Sequence, residues 1–145
     1  MHIFRDLNKQ LERDNYRVPD IKLYLRTIKD GKYITNLDMS ESFHQIKLSE
    51  DSITYTCFIT TLGRFYEYLY VPYSTSFSSS AFQRAIDLAL MGMKYVEIVF
   101  DDLVIPGKTF EAHCIRLDEA LEKLNNFSFT LRGKNTCLQW IILNF

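Results

Sequence analysis

Two short apolar runs meet at a pair of acids: residues 95–105 read YVEIVFDDLVI, with Ile98, Val99 and Phe100 before Asp101 and Asp102, and Leu103, Val104 and Ile105 after them. Runs rich in β-branched and aromatic residues form strands. Unpaired carboxylates inside a strand buried on both faces are costly. The acids are therefore expected at an exposed turn between two strands, with Pro106-Gly107 closing the second strand. Successive strand residues point to opposite faces, so both acids can serve one site only if the backbone turns there.

Carboxylates at strand ends suit hard divalent cations, and magnesium is typically held by one or two carboxylates plus substrate phosphates. Phosphoryl chemistry follows as the reaction class: in a two-metal site, ions about 4 Å apart stabilise the attacking and leaving oxygens of an in-line displacement. Taken alone, the dipeptide fits an ordinary hairpin turn better, because Asp side chains hydrogen-bond nearby backbone in turns. The surrounding order of elements has to decide between these readings.

Upstream, IKLYLRTI (residues 21–28) places Ile21, Tyr24, Leu25 and Ile28 at helical spacing, and YITNLD (33–38) alternates like a strand that delivers Asp38 at its end. The stretch from Thr54 to Val71 is rich in β-branched and aromatic residues and is broken at Gly63, which is a hairpin signal that argues against an all-parallel sheet. The serine-rich loop at 74–80 offers a helix cap. Ala81, Phe82, Ala85, Ile86, Ala89, Leu90 and Met93 then form one helical stripe ending near Gly92. After the acids, Thr109 is placed to cap a second helix whose stripe runs Phe110, His113, Cys114, Leu117, Ala120, Leu121 and Leu124, and FSFTL (127–131) reads as a last strand. The fold class expected is α+β: an antiparallel, ferredoxin-like sheet in split βαββαβ order with helices packed on one face.

The 145 residues suffice for one domain with a sizeable core, and 47% apolar with 24% charged residues is the composition of a folded chain. No apolar stretch is long enough to span a bilayer and no signal peptide is recognisable, so an intracellular protein without membrane contact is the default, with cytoplasm and nucleus both open. Cys57, Cys114 and Cys137 are odd in number and widely spaced, which points to buried free thiols rather than disulfides or zinc. The net charge of −1 lacks the basic surplus common in nucleic-acid binders, although a local basic groove remains compatible with it.

LDMSESFHQIKLSEDSITYTCFITTLGRFYEYLYVPY, residues 37–73, resembles the reverse transcriptases of Ty3/Gypsy-type retrotransposons, whose pattern runs LDLxSGYHQIxLxxxxxxxTAFxTxxGxYEWxxMPF. FRDLNK and DNYRVPDI upstream, and AFQRAID, VEIVFDDLVIPGKTFEAH and LEKLNNFSFTL downstream, continue the resemblance in order, so that it covers residues 4 to about 137. It implies an RNA-directed DNA polymerase in a retrovirus-like Pol polyprotein fragment. The implied fold is a polymerase palm (about 33–39 and 73–137) with partial fingers (about 1–32 and 40–72) and no thumb. The implied partners are an RNA or DNA template with its primer, deoxynucleoside triphosphates and other Pol segments.

Position by position, the resemblance makes Asp38, Asp101 and Asp102 the catalytic ligands of two Mg²⁺ ions, with Mn²⁺ as a substitute. It sets Arg5 on the nucleotide triphosphate, Glu41 and Ser42 where backbone N–H groups meet that triphosphate, Phe43 at the steric gate beneath the sugar, and Gln83 against the incoming nucleotide and its template. From pattern alone Arg5 is a solvated charge, Phe43 a core aromatic and Gln83 an exposed helix residue. His44 and Gln45 read as structural, and His113 as a packed histidine.

The sequence departs from the family pattern at several points: Ser42 stands for a glycine, Val99 for the tyrosine of YxDD, and Ser74 and Ser79 for the glycine and proline of the template-supporting loop. LRGKNTC, at 131–137, is one residue longer than the expected LNxxKC, which puts Thr136 at the lysine unless Lys134 serves instead. With WIILNF as the last residues and no thumb, RNase H or integrase, the expectation is weak synthesis or none by this chain alone. The competing expectation is a catalytically silent retroelement relic acting as a nucleic-acid-binding or interaction domain. A third, another palm-fold phosphotransferase such as a nucleotide cyclase, lacks the Gly-Gly signature of the bacterial diguanylate group.

Overall fold

The computed structural model describes residues 4–12, 14, 16, 31–99 and 102–132. The helix expected over residues 21–28, together with Phe100, Asp101, Lys134, Thr136 and Cys137, lies outside the described residues. The described elements are α1 (Arg5–Gln10), β1 (Tyr33–Asp38), α2 (Glu50–Ile53), β2 (Phe58–Ile59), β3 (Phe65–Tyr66), α3 (Ser78–Ala89), β4 (Glu97–Val99), β5 (Asp102–Gly107) and α4 (Phe110–Asn126), with 3₁₀ turns over Ser42–Gln45 and Thr54–Thr56. The class is α+β with antiparallel sheets, as expected. The chain divides into two compact units: residues 1–16 with 41–85, and residues 17–40 with 86–145.

In the second unit β1, β5 and β4 form one antiparallel sheet in that order. Alternation along β1 sends Thr35 and Leu37 to one face, where their cross-strand partners Ile105 and Leu103 lie, and all four are almost fully buried. α4 lies on this face, since the imidazole Nε2 of His113 is 2.8 Å from the Thr35 hydroxyl. Thr109 caps α4 by accepting a hydrogen bond from the Ala112 amide, as its sequence position predicts. The opposite face is not open to water either, because Ile34, Val104 and Pro106 are buried there.

Only part of the apolar stripe of α4 packs inward. His113, Ala120 and Leu124 are buried, whereas Phe110, Cys114 and Leu121 are exposed. A single sheet face covers a narrower arc than the seven stripe positions span. Cys57 and Cys114 are free thiols, but both are exposed rather than buried, Cys114 on the uncovered side of this helix and Cys57 at the entry to β2.

FSFTL does not form the expected strand. Phe127 caps α4, Ser128 takes a left-handed φ of 60°, and pairing is confined to an antiparallel bridge between Met39 and Leu131. Two backbone hydrogen bonds flank that bridge: Ser40 N–H donates to Thr130 at 3.1 Å and Arg132 N–H to Asp38 at 2.8 Å.

In the first unit the hairpin signal is realised, but over two residues on each side, Phe58 opposite Tyr66 and Ile59 opposite Phe65. Gly63 makes the turn with φ 73°, a conformation open to glycine at little cost. Thr54–Thr56 coils into a 3₁₀ turn because the Thr56 hydroxyl donates to the Ile53 carbonyl and accepts from the Tyr68 amide, which ends the strand early. α3 begins in this unit and ends in the other, and Gly92 with φ 89° follows it closely. Among the described residues no helix is long and apolar enough to cross a membrane.

Candidate active site

The acids are positioned by the β1–β5 ladder. Its last steps pair Leu37 with Leu103 and Asp38 with Asp102, while β4 joins from the other side with Val99 opposite Asp102. Residues directly opposite in an antiparallel pair share a face, with Cβ atoms about 5 Å apart. The buried pair Leu37 and Leu103 thus anchors the ladder one step before two carboxylates emerge together at its end. By alternation they emerge on the face opposite α4.

The Asp38 side chain is 17% exposed, and Asp102 is exposed. Two residues back on the same face, the Asn36 side-chain oxygen is buried with no hydrogen-bond partner among the described residues. Two carboxylates and an unsatisfied oxygen acceptor on one face suit a cation and its waters, not an anion. Among the described residues no three His, Cys, Asp or Glu side chains could hold a metal ion together. Magnesium sites commonly complete one or two carboxylates with phosphate and water oxygens.

One partner of these acids has no counterpart among the residues singled out from sequence. Arg132 brings its guanidinium Nη1 to 3.7 Å from the Asp38 carboxylate, and its backbone N–H holds the Asp38 carbonyl. The sequence signal was faint: Arg132 sits in the segment where LRGKNTC departs from the family pattern, and only the Met39–Leu131 bridge reveals which acid it meets.

Arg5, Glu41, Ser42, Phe43 and Gln83 all fall in the first unit. Arg5 begins α1 and is exposed. Glu41 adopts a left-handed backbone, φ 46° and ψ 52°, and starts the 3₁₀ turn in which Ser42 is buried. Phe43, half-buried, packs against Tyr73 with ring centroids 5.2 Å apart and edge-on to Phe82 at 6.2 Å. It is neither a fully enclosed core aromatic nor a bare surface ring.

Gln83 differs from the exposed helix residue that its pattern suggests, at 3% exposure. The reason is the arc of α3: Gln83 lies three and seven positions before Ile86 and Leu90, on the side of the helix that packs inward.

The serine loop is more ordered than its composition implies. Ser74, where the family has glycine, holds a left-handed φ of 72°. Asn8 of α1 spans the bend, donating from its side-chain amide to the Ser74 carbonyl and accepting from the Ser76 N–H, both at 2.8 Å. Ser78 donates to the Pro72 carbonyl at 2.8 Å and shares a short hydrogen bond with Thr75, and Ser80 donates to the Phe77 carbonyl. These hydroxyls tie the loop and the first turn of α3 together.

Residues 1–138 match the family model described as "Reverse transcriptase (RNA-dependent DNA polymerase)". The retrovirus-related Pol polyprotein from transposon opus of Drosophila melanogaster is 33% identical over 124 residues, 84% of this chain and 12% of that protein. The corresponding polyprotein from transposon gypsy is 32% identical over 135 residues, 92% of this chain and 13% of that protein. The chain therefore spans about an eighth of these relatives. Among solved structures, a foamy viral protease-reverse transcriptase in complex with double-stranded DNA superposes with a TM-score of 0.85 at 19% identity, over 93% of this chain and 24% of that one. The foamy viral enzyme in complex with an RNA/DNA hybrid gives 0.83 at 19% identity, over 94% and 18%.

Proposed function

The chain belongs to the reverse transcriptase (RNA-dependent DNA polymerase) family, and from that premise we propose that it supplies the acidic centre and nucleotide contacts for adding deoxynucleotides to a primer 3′-OH on an RNA or DNA template. The observation that carries this reading is the in-register pairing of Asp38 with Asp102 at the open end of the sheet.

In this proposal Asp38, Asp101 and Asp102 hold divalent metal, Mg²⁺ or Mn²⁺. When bound, such ions lower the pKa of the attacking hydroxyl and neutralise charge on the triphosphate. The remaining work is positioning, which dominates phosphoryl transfer. Arg5 offers a fork of donors to triphosphate oxygens, and the backbone at Glu41 and Ser42 offers N–H groups to the same triphosphate. Phe43, steadied on one side by Tyr73 and Phe82, presents a ring that excludes a 2′-OH. Gln83 braces the template-side contact from within α3. The sheet with α4 on one face corresponds to a palm, and the segments before and after β1 to fingers.

A second reading, a silent descendant that binds nucleic acid or protein, is favoured by Gln83: at 3% exposure it is poorly placed to touch a nucleotide directly.

Titration of the chain with Mn²⁺, paired with primer extension on an RNA template, separates the two readings. Metal binding and incorporation that both disappear in Asp38→Asn support the polymerase. Incorporation that survives Asp38→Asn, or a chain that binds no metal, favours the silent form.

A further inference from the structure

We propose that Arg132 is a resident counter-cation of the acidic centre, holding the charge position at Asp38 that a divalent ion takes, so that metal loading requires the guanidinium to swing away. This rests on the metal-site reading above and adds a competitor to it.

Backbone geometry enforces the placement. Arg132 N–H donates to the Asp38 carbonyl at 2.8 Å, and the Met39–Leu131 bridge and the Ser40 to Thr130 hydrogen bond hold the same crossing. The Arg132 Cα is thereby fixed beside Asp38 whatever its side chain does. The side chain is 48% exposed, and Nη1 stands 3.7 Å from the carboxylate oxygen, a contact of charge rather than a hydrogen bond.

Charge supplies the motive. Asp38 faces Asp102 across the ladder, and like charges directly opposite repel. A guanidinium beside one of them offsets that repulsion when no metal is bound. A divalent cation, carrying twice its charge, is the species suited to displace it. A fixed positive charge near a metal site lowers the affinity for a second cation by the ion-pair energy, which for a half-exposed pair corresponds to about two- to tenfold.

The test titrates the full chain with Mn²⁺, reading free ion by its paramagnetic resonance, in wild type, Arg132→Asn, Arg132→Lys and Asp38→Asn. Arg132→Asn is expected to bind Mn²⁺ about two- to tenfold more tightly, with Arg132→Lys close to wild type and Asp38→Asn losing the site. Unchanged or weaker binding in Arg132→Asn, with binding still lost in Asp38→Asn, overturns the inference and leaves the metal site standing. Binding indifferent to Asp38→Asn overturns both.

A wild-type measurement guards against a variant that folds poorly. The Arg132 side-chain N–H resonance, identified by its absence in Arg132→Lys, should shift during Mg²⁺ titration with the midpoint of metal binding. A resonance that stays fixed while metal loads sinks the proposal.

Discussion

Asp38 and Asp102 stand directly opposite each other at the end of the β1–β5 ladder, one step beyond the buried pair Leu37 and Leu103. A fold optimised for stability alone would not place two carboxylates there. We expect Asp102→Asn to stabilise the metal-free chain by about 0.5–1 kcal/mol, the scale of a cross-strand charge pair. Mg²⁺ should protect wild type against urea more than it protects the variant, because a ligand stabilises the state that binds it. Equal protection of both would remove Asp102 from the metal site.

Ser74 sits at φ 72° where glycine is free to go. A non-glycine residue held there costs on the order of 1 kcal/mol. Ser74→Gly should therefore raise stability by about 0.5–1 kcal/mol in denaturant unfolding, since the Asn8 clamp binds backbone that the substitution leaves intact. Asn8→Ala should cost about 1–2 kcal/mol through its two lost hydrogen bonds. A neutral Asn8→Ala would show that the clamp contributes nothing to the loop.

Burial, and after it the neighbouring Arg116 charge, holds the His113 imidazole below its ordinary pKa of 6.5. The unfolded chain then takes up the proton at higher pH than the folded one. Stability should be constant well above 6.5 and fall as pH drops through 6.5 toward the lowered folded value. His113→Gln should flatten that part of the pH profile, and an unchanged slope would assign it to other groups.

Gly107 leaves no room for a side chain: a Cβ there would lie 2.4 Å from His113 Cβ and 2.9 Å from its backbone nitrogen. Gly107→Ala should destabilise by about 2–3 kcal/mol, since helix and strand must part to relieve the overlap. A loss under about 0.5 kcal/mol in thermal unfolding would mean α4 shifts freely on the sheet.

The Phe43 ring rests on Tyr73 and Phe82 yet remains half-exposed. If it closes off the space beneath the sugar, Phe43→Val should relax discrimination against ribonucleotides by about 10- to 100-fold in single-nucleotide incorporation. Overall incorporation lost with discrimination intact would make Phe43 a packing residue only.

Much of this architecture was legible locally. β1 follows from the alternation of YITNLD, the turn of the small hairpin from Gly63, the cap of α4 from Thr109, and the strands flanking the acids from their β-branched runs. Each depends on a residue's own conformational preference and its near neighbours, which sequence carries directly. What required the tertiary structure is every relation between distant segments: Asp38 opposite Asp102, Arg132 against Asp38, Asn8 reaching 66 residues to Ser74. Burial of Gln83 and exposure of Cys114 belong to the same class, because a helical stripe shows that one side is apolar without showing how wide an arc the rest of the chain will cover. Local preference is written residue by residue, whereas a long-range contact exists only once the path of the whole chain sets which side chains meet.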